Sequence, residues 1–105
     1  MFQFRTYTLR SPDALHRYAT VHWARHLETF AKFGVTTHGV WTERHGAANR
    51  LVALIRYPTG ADPDLLTRQI MASPEFRADM AGFDPADIVD VQTVLLDPTS
   101  FSPFH

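Results

Sequence analysis

The chain has 105 residues, of which 45% are hydrophobic and 20% charged, a composition that fits one globular domain and excludes a disordered one. Its formal net charge is -1 and it carries no basic block, so nucleic acid and anionic membrane surfaces have no electrostatic basis as partners. It has no cysteine, which removes disulfides, thiolate metal sites and cysteine nucleophiles. No apolar run approaches the roughly 18 residues of a membrane span, and no signal-peptide pattern is present, so a cytoplasmic location is expected.

Phe2 to Arg10, "FQFRTYTLR", is rich in aromatic and β-branched residues and reads as a strand. Its alternation puts Phe2, Phe4, Thr6 and Thr8 on one face and Gln3, Arg5, Tyr7 and Leu9 on the other. Ser11, Pro12 and Asp13 then form a helix start: a capping hydroxyl, a proline at the first position and an acid in the first turn. The helix is expected to run to about Phe33 and stop at Gly34. Leu15, Ala19, Trp23, Phe30 and Phe33 make its apolar stripe, with His26 inside the stripe and His22 at its edge. Lys32, the only lysine, falls on the polar side, a poor place for Schiff-base chemistry.

Val35 to Arg44 reads as a second strand, followed by the turn "HGAAN". Arg50 to Tyr57, "RLVALIRY", is a near-continuous apolar strand of the kind that sits centrally in a sheet. Leu65 to about Gly82 is helical, with a break expected at "SPE", Ser73 to Glu75. Ile88 to Leu96 is a fourth strand, and the prolines of "DPTSFSPFH", residues 97–105, argue against regular structure there.

The order β-α-β-β-α-β predicts an α+β fold of ferredoxin-like type, one domain over residues 1–105 with a four-stranded antiparallel sheet. Two helices on one face leave the face with Phe2 and Phe4 bare. A second copy is expected to cover it, making a homodimer, with the 97–105 tail wrapped on the partner.

Several segments together resemble a known family. "RTYTL" (Arg5 to Leu9), "GVWT" (Gly39 to Thr42), Asn49 with Arg56 and Tyr57, "SPEF" (Ser73 to Phe76) and "LLDPTSFSP" (Leu95 to Pro103) look like the NIPSNAP family, in order and over nearly the whole chain. The resemblance implies membership of the dimeric α/β-barrel superfamily, in which two such sheets pack face to face. That superfamily includes cofactor-free monooxygenases, polyketide cyclases, lactone isomerases and haem enzymes, so the resemblance implies a pocket between sheet and helices but no particular reaction. One departure stands out: Ala53 and Ile55 occupy third-strand positions where the family pattern often has histidine and tryptophan.

The chemistry-bearing residues converge on the helix side of the sheet. Arg5 and Tyr7 point at the helices, and the first helix turns His26, and marginally His22, back toward them. A buried charge needs partners, so these groups are expected to share a cavity that admits water or a ligand. His26, Tyr7 and Arg5 are the catalytic candidates, and His22, Trp41 and Gln92 the substrate-binding ones, with Trp41 as an aromatic wall. Histidine exchanges protons near neutral pH, arginine holds a carboxylate or enolate oxygen, and tyrosine donates to a developing oxyanion. Together they suit cofactor-independent proton transfer on a small aromatic, polyketide-like or anionic molecule.

The bland readings are burial alone for the two histidines, core packing for Trp41, and a structural network of Arg5 and Tyr7 with Asp79 or Asp90. His16, His38 and His45 are read as solvated or in turns. A metal at His22 and His26 is disfavoured: the zinc-protease form needs glutamate after the first histidine, where this chain has Trp23, and a third ligand such as His38 would be required. No metal or cofactor is therefore expected. The competing function is a non-catalytic binding or scaffold dimer.

Overall fold

The computed structural model describes residues 1–104. Strands β1 (Phe2–Leu9), β2 (Thr36–Thr42), β3 (Arg50–Arg56) and β4 (Ile88–Leu96) form one antiparallel sheet in the order β2-β3-β1-β4. This is the ferredoxin-like α+β arrangement, with β1 and the apolar β3 in the centre.

Between β1 and β2 runs a helical segment in three parts: α1 (Pro12–Arg17), a π-helical turn (Tyr18–His22) and α2 (Trp23–Lys32). The expected single helix thus carries a local insertion. At the π-turn the Trp23 N–H reaches back to the Tyr18 carbonyl, and the extra residue rotates the buried face. Tyr18 and His22 are turned fully inward, while Leu15 and Ala19 of the expected stripe are only half-buried. The Ser11 hydroxyl caps the segment by accepting the Ala14 N–H at 3.1 Å, and Gly34 closes it at φ +79°, where a β-carbon would be strained.

The second helical region divides where "SPE" predicts. α3 (Pro63–Met71) ends, and the Ser73 hydroxyl accepts the Phe76 N–H at 3.2 Å to open α4 (Pro74–Asp79). A 3-10 turn (Pro85–Asp87) leads into β4. None of these helices is long and apolar enough to cross a membrane.

The helices pack on one face of the sheet. The core lies between Leu9, Leu51, Ile55 and Tyr57 of the sheet side and Trp23, Phe30, Ile70 and Phe83 of the helical side. The layer does not extend over β4 beyond the half-buried Ile88; its other residues are exposed on both faces, including Val91 at 45% and Val94 at 55%. A gap therefore opens between the helices and the β1–β4 half of the sheet.

The opposite face is bare. The register places Phe4, Thr6, Val52, Leu54 and Val94 together on it. Phe2 is buried at the end of this face because His38 and Phe104 rest against it, with ring centres 5.4 and 6.4 Å away. His38 is thus half-buried between two phenyl rings, a correction to its reading as solvated. The tail folds back far enough for Phe104 to reach its own sheet, while Phe101 stays 84% exposed.

Candidate functional site

Strand alternation sends Gln3, Arg5 and Tyr7 from β1 into the gap beneath the helices, as expected. Their cross-strand neighbours fix what else is there. Arg5 lies opposite Ala53 of β3 and Thr93 of β4, and Tyr7 opposite Leu51 and Val91. Helix α2 contributes His26 and Phe30, the π-turn Tyr18, and α3 and α4 supply Thr67 and Phe76. The space enclosed is a cavity of about 820 Å³, within the range of small-molecule sites. Exposed Met71 and Val91 stand at its lining, so it opens to solvent on the uncovered β4 side.

Arg5 is buried, and the groups that accept its hydrogen bonds are all neutral. Its Nε donates to Gln3 Oε1 at 2.7 Å, Nη1 to the Tyr7 hydroxyl at 3.2 Å, and Nη2 to Tyr57 at 3.0 Å and Thr67 at 3.5 Å. Tyr57 in turn donates to Gln3 Oε1 at 3.0 Å and lies 2.8 Å from the Thr67 hydroxyl. The guanidinium carbon sits 5.4 Å from the centre of the Phe30 ring. Burial works against the Arg5 charge, but the hydroxyls of Tyr7 and Tyr57 more than offset it, so the group stays a cation.

His26 has a different set of contacts. Its Nδ1 is 2.9 Å from Asp79 Oδ2, so Nδ1 carries the proton and donates to the carboxylate. The other nitrogen, Nε2, meets only the Tyr18 hydroxyl, at a long 3.4 Å. The imidazole lies nearly parallel between two phenyls, 5.4 Å from Phe30 and 4.8 Å from Phe76. Burial lowers its pKa below the usual histidine value; the Asp79 hydrogen bond and charge pull the other way, and Arg5 and His22 add to the lowering. The balance favours the neutral imidazole. Burial and the neighbouring Tyr7 push the Tyr18 hydroxyl well up, so it stays protonated.

His22 is also buried, but it is not part of the cavity lining. Its Nδ1 donates to the Asp79 main-chain oxygen at 2.8 Å, and Arg25 donates to the same oxygen at 3.1 Å. The His22/His26 pair is not idle: both rings grip Asp79, one by its carbonyl and one by its carboxylate. Among the described residues, no group of three or more His, Cys, Asp or Glu side chains could hold a metal. His38 lies against Phe2, on the far face of the sheet.

Two expected wall residues do not reach this cavity. Gln92 pairs with Thr6 and Trp41 with Val52, which puts both on the bare face. Trp41 lies 51% exposed, its indole folded over Gly39 where a β-carbon would collide with it. Strand parity decides both placements, and a shift of one residue in β2 or β4 reverses it.

The groups missed by sequence reasoning are Tyr18, Gln3, Tyr57, Thr67 and the role of Asp79. Tyr18, His22, His26 and Phe30 recur every four residues, a signal present in the sequence. Asp79 was weighed as a partner for Arg5 and Tyr7, whereas it serves the histidines.

A family model described as NIPSNAP matches residues 2–103. The fold is similar to a NIPSNAP family protein of Agrobacterium tumefaciens (16% identity, 99% of this chain and 97% of that one, TM-score 0.78). It is also similar to a NIPSNAP-like domain protein of Burkholderia xenovorans (24% identity, 97% and 87%, TM-score 0.77). A more distant likeness is to a structure described as an antibiotic biosynthesis monooxygenase (12% identity, 94% and 99%, TM-score 0.61). No curated protein matches the chain.

Proposed function

The chain belongs to the NIPSNAP family, and from that premise we propose that it is a small cofactor-independent enzyme acting by proton transfer on an aromatic or polyketide-like substrate. The reaction class is isomerisation, cyclisation or monooxygenase-like chemistry. One observation carries the reading: a buried histidine, oriented by a carboxylate at 2.9 Å and with its second nitrogen weakly engaged, lines the same cavity as a buried arginine.

The roles follow from the atoms. His26 Nε2 removes a proton from carbon beside a carbonyl. The imidazolium that forms is stabilised by Asp79 through Nδ1–H. The negative charge moves to the carbonyl oxygen, which Arg5 and the Tyr7 and Tyr18 hydroxyls stabilise as an enolate. Return of the proton to a neighbouring carbon completes an isomerisation; attack of the enolate carbon on a second carbonyl, with the His26 proton passing to the alkoxide that forms, completes a cyclisation. The working unit in this proposal is a homodimer, supported by the bare face with exposed Trp41, Val94 and Leu96.

The test is hydrogen–deuterium exchange of a panel of enolisable aryl ketones in D2O, followed by proton NMR. Wild-type protein accelerates exchange of at least one member, and His26→Gln lowers that rate by on the order of 10²-fold. Exchange no faster than buffer, or unchanged in His26→Gln, contradicts the reading.

A second reading, a non-catalytic binding or scaffold dimer, is favoured by the His26 surroundings. The ring is 1% exposed and stacked on both faces, as a purely structural residue would be.

A further inference from the structure

The charge balance of the cavity is incomplete. Arg5 is buried, and every acceptor it reaches is neutral: Gln3, Tyr7, Tyr57 and Thr67. The sheet offers no counter-ion on this face, because the neighbours across β3 are Ala53 and Ile55, both wholly buried. Asp79, the nearest buried acid among the described residues, is already held by His26. Asp64 is the only acid of the lining, and it is exposed, as are the lining residues Arg68 and Arg77. A buried cation without an anion is costly, and a cavity beside it is where an anion would be bound.

The donor count locates the contact. A guanidinium has five N–H groups, and the four contacts use three of them, because the Tyr57 and Thr67 hydroxyls lie only 2.8 Å apart and share one N–H of Nη2. One N–H on Nη1 and one on Nη2 have no acceptor within the protein. The apolar part of the lining includes Ile70, Met80, Ile88 and Val91.

We infer that the cavity takes an organic monoanion, a carboxylate or enolate, with its charged oxygen on a free Nη N–H of Arg5 and its apolar body toward Met80, Ile88 and Val91. The inference rests on the cavity used for the proton-transfer reading and names the ligand class for it. Its test is independent of turnover.

The probe is 2-naphthoate, compared with its neutral twin 2-naphthamide, by titration calorimetry on the full chain. Naphthoate binds at least tenfold more tightly than naphthamide. Arg5→Met weakens naphthoate by at least tenfold, within the range for a charge-assisted hydrogen bond, and removes the preference. The double variant Arg68→Met/Arg77→Met keeps the preference, since its charges sit in solvent. In wild-type protein the Arg5 Nε–H resonance moves on adding naphthoate and not on adding naphthamide, a readout that stands even where Arg5→Met fails to fold. Equal affinities, no binding of either probe, a preference that survives Arg5→Met, or one that is lost in the double variant overturns the inference. Naphthoate has no enolisable hydrogen. Loss of its preference with ketone exchange intact sinks only the anion claim; a preserved preference with no exchange sinks only the proton-transfer reading.

Discussion

The carboxylate of Asp79, the last residue of α4, accepts a hydrogen bond from His26 Nδ1 at 2.9 Å, while the Asp79 carbonyl accepts from His22. One aspartate therefore ties α4 to α2 and sets the tautomer of the cavity histidine. Asp79→Asn keeps the volume but removes the charge and turns one of the two acceptor oxygens into an NH2 donor. The variant is expected to lose about 1.5–3 kcal/mol of stability, the usual size for a hydrogen bond to a charged group. Urea unfolding of the two proteins checks it.

The lowered pKa of His26 gives a sign for pH dependence. The unfolded chain binds this proton more readily than the folded one, so stability rises with pH through the window below about 6.5. It is fully present above the unfolded value and is lost as the pH falls through the folded value. His26→Gln should flatten this segment of the stability–pH curve. Thermal melts between pH 7.5 and 5 measure it; an unaltered slope in the variant contradicts the assignment.

Stacking on both faces holds the imidazole. Phe76 is the half-buried partner, with ring planes 3° apart. Phe76→Leu leaves an apolar side chain without a flat face, and about 1 kcal/mol is expected to be lost, in line with a core change of shape. The same variant should slow ketone exchange more than it weakens naphthoate binding, because the ring positions His26 and not Arg5. Parallel kinetics and calorimetry separate the two effects.

Trp41 and Gln92 belong to the other side of the sheet. Gln92→Ala and Trp41→Ala are therefore expected to leave naphthoate affinity unchanged. Phe4→Asp, on the same bare face, places a charge where a partner sheet would pack, and should give a monomer or an unfolded chain. Sedimentation equilibrium follows it; a stable wild-type monomer at micromolar concentration contradicts the dimer proposal.

Much of this architecture was legible in the residues. Strand alternation in "FQFRTYTL" put Arg5 and Tyr7 under the helices, and the serine caps at Ser11 and Ser73 marked both helix starts. The π-turn was not read, because its mark, the four-residue spacing of Tyr18, His22, His26 and Phe30, is also what a regular helix shows over a turn or two; it is what brought Tyr18 fully inward. Trp41 and Gln92 failed on parity. β2 has a register shift between Thr37 and Gly39, and β4 shifts against β1 at Thr8/Leu9, so neither strand's facing can be counted from its end. The Asp79–His26 contact joins residues 53 positions apart, a long-range pairing that local pattern does not encode.

The most direct measurement is the nitrogen-15 NMR titration of the His26 imidazole in full-length protein. At pH 7 the account predicts a neutral ring with the proton on Nδ1, Nε2 unprotonated, and a midpoint below 6.5 that moves in Asp79→Asn. A ring protonated on Nε2 at pH 7, or a midpoint above 6.5, would leave no free base facing the cavity and contradict the proposed role of His26.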